Sequence, residues 1–442
     1  MDLLFLGLFL FSIGPIVSGV PATRGWCDNK QSLDLSLQLA GLSPEVRTWA
    51  SAPAALPRHN LDVPQMVARE GYPVETHLVT TEDCYLLTLH RIPHGRNNRG
   101  EGSPRPIMFL QHGLLCSSDA WVMPTPSKGL GYILADAGYD VWMGNYRGNT
   151  YSRSHCSLDP DNQRGDFWKF TWDEMAKYDI PAMIEKVLKV TGQDELQYAG
   201  HSMGTTAFMA MHHYRKDISE KVRLAHLLSP VAYVGHMTSP IGWIAGLDGI
   251  IETIVVDLMG IGEFLPSNLL MDCLASLFCH EGVLQGLCTN ILFVLCGFDE
   301  PQVNTTLLET IIHHTPAGAS SKTILHYGQE VNSNKFEGYD WGSDDANMAH
   351  HGSLTPPEYL LSDVTTPTAI YWGDNDWLAA AADILQVVMQ LPNIQPGMNH
   401  EVAWPGWNHL DFLWGVDADK YVYADFLKNA KTCQDQDCRN LK

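Results

Sequence analysis

Basic side chains are scarce in this chain. Only 28 Lys and Arg stand against 50 Asp and Glu, a formal charge of −22 at neutral pH. Affinity for a phosphate backbone rests on a Lys/Arg surplus, so no nucleic-acid partner is expected. Between Arg223 and Lys322 there is no basic residue at all. Charged residues make up 18% and hydrophobic ones 45%, which excludes disorder or coiled coil as the main state. A membrane span is lacking too: the uncharged stretch 282–298 is interrupted by Gln285, Thr289 and Asn290 and falls short of the ~20 apolar residues required. The ten Cys show no C-x-x-C spacing and no adjoining His cluster, so neither a metal nor another cofactor is expected.

What is present points to the secretory pathway. Residues 3–11 are apolar and break at Gly14-Pro15, and Val17-Ser18-Gly19 fits signal-peptide cleavage near Gly19, although Asp2 stands where a basic residue is usual. Ten Cys suit an oxidising compartment; Cys279 with Cys288, and Cys433 with Cys438, are spaced as local bridges. Asn304-Thr305-Thr306 is a glycosylation sequon in such a chain.

At roughly 100–200 residues per domain, 442 residues suggest two or three structural units. Short apolar runs at 107–110, 139–143, 195–199, 224–228 and 368–372 end in Gly, Ser or Pro and alternate with helical stretches. That is the pattern of a mostly parallel α/β sheet. The plainest helix opens at Asp179-Ile180-Pro181, where an N-cap acid and an early Pro are expected, and ends before Gly192. Alternation fails across 231–360, which reads as inserted helical material, either an ordinary buried subdomain or a cap over an apolar site.

Gly200-His201-Ser202-Met203-Gly204 matches G-x-S-x-G, a sharp strand-to-helix turn in which Gly avoids clashes and the Ser hydroxyl is held exposed. A hydroxyl is a poor nucleophile without a base, and the base needs an orienting carboxylate. In the order Ser, acid, His, the acid candidates are Asp374 and Asp376, just past the run 368–372. His409, among Trp407, Leu410 and Phe412, is the leading base, with His400 its rival and His350-His351 inside the insert. The segment His112-Gly113-Leu114-Leu115 follows a strand and would supply one oxyanion-binding amide, at Leu114, while Met203 supplies the other.

With those residues in place, the chain from about Leu61 to Leu427 resembles the acid lipase family of gastric and lysosomal lipases and their arthropod relatives. The likeness rests on Gly71-Tyr72-Pro73, His90-Arg91-Ile92-Pro93, Gln111-His112-Gly113-Leu114-Leu115 and Asn145-Tyr146-Arg147-Gly148-Asn149. It continues through Phe167-Trp168, Tyr178-Asp179-Ile180-Pro181, Gly200 to Gly204 and Cys296-Gly297-Phe298-Asp299, then Asp376-Trp377-Leu378-Ala379 and Trp407-Asn408-His409-Leu410-Asp411-Phe412. The resemblance implies an α/β-hydrolase core with a helical cap, and metal-free hydrolysis of neutral lipid esters at a lipid–water interface. It selects Asp376 over Asp374 and His409 over His400, maps a cap disulfide onto Cys279 and Cys288, and leaves Cys296 a buried thiol.

The implied organisation is a signal peptide at 1–19, a variable region at 20–60, core at 61–230, cap at 231–360, and core with a C-terminal tail at 361–442. The protein would be a secreted or lysosomal monomer or weak dimer. Three positions depart from the family pattern: Met203 replaces a frequent Gln, Ala380-Ala381-Ala382 replaces a Pro-containing stretch, and Cys84 replaces a usual Gly in the turn Asp83-Cys84-Tyr85. That turn is expected to be distorted or tied by a disulfide. Competing readings are a carboxylesterase of short or specialised esters and an inactive lipid carrier.

The base-free stretch 224–321 carries only negative charge at neutral pH, which repels an anionic lipid surface until carboxylates and His protonate. Binding to anionic vesicles should therefore be tighter at about pH 5 than at about pH 7. Vesicle flotation across that range checks it; the reverse order would refute it.

Overall fold

Nine strands hydrogen-bond in the order β1-β2-β3-β5-β4-β6-β7-β10-β11. They are β1 (Val46–Thr48), β2 (Glu75–Thr80), β3 (Leu86–Ile92), β4 (Ile107–Gln111), β5 (Asp140–Met143), β6 (Leu196–His201), β7 (Val222–Leu228), β10 (Thr368–Trp372) and β11 (Ile394–Glu401). From β5 to β11 every pairing is parallel, while β1, β2 and β3 form an antiparallel meander joined to β5. The computed structural model describes residues 46–48, 56–99, 104–239, 242, 262–264 and 295–440, all in one unit, Glu45–Lys442. The expected signal peptide at 1–19, Cys279 and Cys288 lie outside the described residues.

Strands β4, β5, β6 and β10 are buried along their whole length, as a sheet covered on both faces requires. Their alternate side chains feed two cores. Ile107, Phe109, Tyr198 and Ile370 point into one, and Met108, Leu110, Ala199 and Tyr371 into the other.

The longer helices are α1 (Val63–Arg69), α2 (Leu130–Asp136), α3 (Ile180–Thr191), α4 (Met203–Tyr214), α5 (Thr305–His314), α6 (Ser321–Ser333), α7 (Asp344–His351), α8 (Ala381–Gln390) and α9 (Ala424–Asp435). Residues of α3, α4 and α8 cover the first face, and those of α1, α2, α5 and α9 the second. Between β7 and β10 the described residues add no strand to this sheet; β8 (Glu263–Phe264) and β9 (Ala319–Ser320) pair only with each other. Leu307 and Ile311 of α5 nevertheless join the second core, so part of 231–360 belongs to the body of the protein. Cys433 and Cys438 are joined at the end of α9.

The start of α3 corrects one expectation. Helix α3 stops where expected, at Gly192 with φ of 68°, but Asp179 makes no capping hydrogen bond to it. Its carboxylate instead takes Arg147 Nε at 2.8 Å and the Arg147 amide at 3.0 Å. Arg147 is 1% exposed and also donates to Asp83, at 2.6 and 2.9 Å, with its guanidinium 4.0 Å from the Tyr85 ring. A buried cation demands paired anions more strongly than a helix end demands a cap, since removing one partner of such a pair costs about 3–5 kcal/mol. The cluster fastens the β2–β3 turn, the loop after β5 and the start of α3 to one another.

A second buried group is acidic. Glu330 of α6 is 1% exposed, and burial beside Asp173 and Glu337 pushes its carboxyl well above its ordinary 4.5, against slight relief from the Glu337 main chain. The folded chain thus holds a proton that the unfolded chain releases above 4.5, so this contribution to stability is full in acid and fades as pH rises. Glu330→Gln, which mimics the protonated form, should leave Tm unchanged near pH 4 and raise it by about 1–3 °C near pH 8. Calorimetry of both proteins across pH checks this; a difference that does not grow with pH would contradict it.

Candidate active site

Four loops meet at the C-terminal edge of the parallel strands. Strand β6 ends at His201 and α4 begins at Met203, leaving Ser202 between them at φ 54°, ψ −122°. That conformation is strained for any L-residue and persists only where its surroundings impose it. They do so through close backbone contacts. A Cβ on Gly200 would lie 2.7 Å from the Gly204 carbonyl carbon, and one on Gly204 would lie 2.5 Å from the Gln111 carbonyl oxygen. A Cβ on Gly113 would sit 2.8 Å from that of Ser202, so the loop after β4 lies directly against the serine.

The loop after β10 brings in Asp376, which is buried, while Asp374 is exposed. Its Oδ1 accepts the amides of Leu378 and Ala379 at 2.9 and 2.8 Å, and its Oδ2 accepts His409 Nδ1 at 2.9 Å. With the proton drawn to Nδ1, Nε2 of His409 keeps its lone pair. The His409 loop is built locally: Asn408 Oδ1 accepts the Leu410 amide at 2.8 Å and Asp411 Oδ2 accepts the Asn408 amide at 2.8 Å. It is tied to the serine turn by His201, whose Nε2 donates to the His409 carbonyl at 2.8 Å. Burial holds His201 well below the ordinary imidazole range, so it stays neutral and keeps this bond in acid.

Leu114 and Met203 lie at the two turns that flank Ser202. His112 shapes the first of these: its Nδ1 donates to the Gly113 carbonyl at 2.8 Å, and its Nε2 accepts the Tyr146 amide and Asn149 Nδ2, each at 3.1 Å. Burial lowers His112 to about 4, which keeps it the neutral staple this pattern needs. The loop then passes through Leu115 at φ 60°, whose carbonyl accepts the Ala317 amide at 2.7 Å.

The other candidate histidines are engaged elsewhere. His400 stacks on Tyr371 and meets Asn429, His350 stacks on Trp341, and His351 donates to the Tyr339 carbonyl. Asn304 stands partly exposed at the start of α5. Cys296 is buried, and burial pushes its thiol well above the ordinary range.

One residue in the cluster has no signature in the chain. Ser229, at φ 50° just after β7, donates to Asp376 Oδ2 at 2.5 Å and lies 2.8 Å from His409 Nδ1. Its hydroxyl completes the carboxylate's set of donors, and a charge-assisted bond of this kind contributes about 1.5–3 kcal/mol.

This chain resembles known proteins along most of its length. Residues 63–125 match the family described as a partial alpha/beta-hydrolase lipase region, and residues 106–258 match the alpha/beta hydrolase fold. It is 42% identical to human lysosomal acid lipase/cholesteryl ester hydrolase over 84% of this chain and 91% of that protein. Identity to rat gastric triacylglycerol lipase is 41%, over 84% and 92%, and to Lipase 3 of Drosophila melanogaster 42%, over 84% and 93%. A solved structure from Sulfolobus solfataricus shares the fold with a TM-score of 0.53 and 14% identity, over 82% of this chain and 95% of that one.

Ser229→Ala should lower kcat for ester hydrolysis about 10-fold with little change in KM, because only the orientation of the Asp376–His409 pair is weakened. Steady-state kinetics on a soluble ester test this; an unchanged kcat would remove Ser229 from the site.

Proposed function

The chain belongs to the acid lipase family of α/β-hydrolases, and from that premise we propose how its own residues hydrolyse lipid esters. His409 Nε2 takes the proton of Ser202 as its oxygen attacks the ester carbonyl. Asp376 steadies the imidazolium that forms, and the amides of Leu114 and Met203 receive the oxyanion, each such donor being worth ~10²–10³ in turnover. The alcohol leaves with the proton from His409. Water, activated by the same imidazole, then releases the fatty acid from Ser202. The observation that carries this reading is the Asp376–His409 hydrogen bond, locked through His201 to the turn that presents Ser202.

The substrates in this reading are neutral lipid esters, triacylglycerol or sterol ester, met at a lipid–water interface, and residues 231–360 contribute the cap over the acyl site. The named activities of the lysosomal and gastric relatives support that choice. Delivery to an acidic lysosome or to an extracellular lumen fits the neutral, buried His112 and His201, whose hydrogen bonds do not depend on protonation at mildly acid pH.

Ser202→Ala should reduce hydrolysis of a fluorogenic long-chain ester at least ~10³-fold while Tm is kept. The unaltered enzyme should turn over an emulsified ester far faster than the same ester below its solubility limit. Substantial turnover by Ser202→Ala would sink the mechanism, and equal rates on both ester forms would favour a carboxylesterase.

A further inference from the structure

Among the described residues four cysteines are thiols, and they fall into two kinds. Cys116 and Cys296 are buried, where burial raises their thiols and shields them. Cys84 is partly exposed and Cys156 is exposed. These two face each other across a short antiparallel contact. Tyr85 bridges His155, the Cys156 amide donates to the Cys84 carbonyl at 2.9 Å, and the Leu86 amide donates to the Ser154 carbonyl at 2.9 Å. In that register Cys84 and Cys156 are directly opposed and share one backbone hydrogen bond, the Cys84 amide turning to the Thr81 carbonyl at 3.0 Å; directly opposed antiparallel residues have Cα separations of about 4.5–5.5 Å. Disulfides span Cα separations of about 4.4–6.8 Å. The neighbouring Cys156 thiol raises that of Cys84 above its ordinary range.

We propose that Cys84 and Cys156 form a disulfide that pins the β2–β3 turn to the loop after β5. A low-molecular-weight disulfide is the oxidant. One cysteine thiolate attacks it and expels one small thiol; the second thiolate attacks the mixed disulfide and expels the other. One protein S–S bond forms, the small disulfide is reduced to two thiols, and the two protons leave with them.

The position gives the bond a purpose. Cys84 follows Asp83, whose carboxylate holds buried Arg147, and its backbone is left-handed at φ 73°, which a non-glycine residue adopts only at a cost. His155, next to Cys156, meets the Asp83 carbonyl through Nε2 at 3.0 Å. A cross-link here braces the turn that supports Arg147, and through Arg147 the loop whose Tyr146 amide and Asn149 side chain hold His112. The bond thus offsets strain that glycine would avoid.

The test uses the full-length protein, equilibrated with glutathione disulfide, blocked with an alkylating agent and digested without reduction. A peptide pair joined through Cys84 and Cys156, and released by reductant, is expected. Reduction should lower Tm of the unaltered protein by about 3–6 °C more than that of Cys156→Ser, in which the Cys433–Cys438 bond alone remains to be opened among these pairs. Cys84→Gly relieves the backbone conformation and should show the same insensitivity as Cys156→Ser, with esterase activity retained by both. Alkylation of both thiols after oxidation, a stable glutathione adduct in place of the cross-link, or pairing of either residue with another cysteine would overturn the proposal.

Discussion

The hydrogen bond from His409 to Asp376 is the contact that the rest of the architecture serves. Its partners come from loops after β11 and β10, the serine from the loop after β6, and the His112–Leu115 turn from the loop after β4. Parallel strands deliver all of these loops to one edge, and burial of the strands on both faces fixes their register. Asp376 is buried, yet its two oxygens receive Leu378, Ala379, Ser229 and His409, so its charge meets a donor on every side. A buried carboxylate without such donors would be costly to ionise and could not orient an imidazole.

Neutral groups carry the surrounding scaffold. Burial keeps His112 and His201 uncharged against the opposing pull of the backbone carbonyls they donate to, and the turns they hold lie on either side of Ser202. Among the described residues the one buried cation, Arg147, is neutralised by two carboxylates from different parts of the chain. Glu330 supplies the opposite tendency, holding a proton that favours the folded state in acid. The design suits a protein whose site must keep its geometry while the surface charge changes with pH.

Much of this was legible in the chain. Each of the five apolar runs became a strand of the main sheet, because full burial leaves few alternatives to a continuous apolar segment. The antiparallel meander was not foreseen, since β2 alternates exposed and buried positions weakly. Spacing did not separate Asp374 from Asp376, which are two positions apart on one loop; in three dimensions Asp374 is exposed, while Asp376 is buried and accepts the Leu378 and Ala379 amides and His409. Asp179 was misread because local capping rules are blind to Arg147, which lies far away in sequence. Ser229 escaped for the same reason: a lone Ser after a strand acquires its meaning only from partners in two other loops.

Covalent trapping of the serine is the measurement that bears most directly on the paired Asp376 and His409. The protein is treated with a long-chain alkyl phosphonate and its peptides are mapped by mass spectrometry over time. One phosphonyl group should appear on the Ser202 peptide, and Asp376→Asn should slow its appearance by roughly 10³-fold or more, since the wrong imidazole tautomer is then favoured. Labelling at another serine, or an Asp376→Asn protein labelled as fast as the unaltered one, would contradict the account.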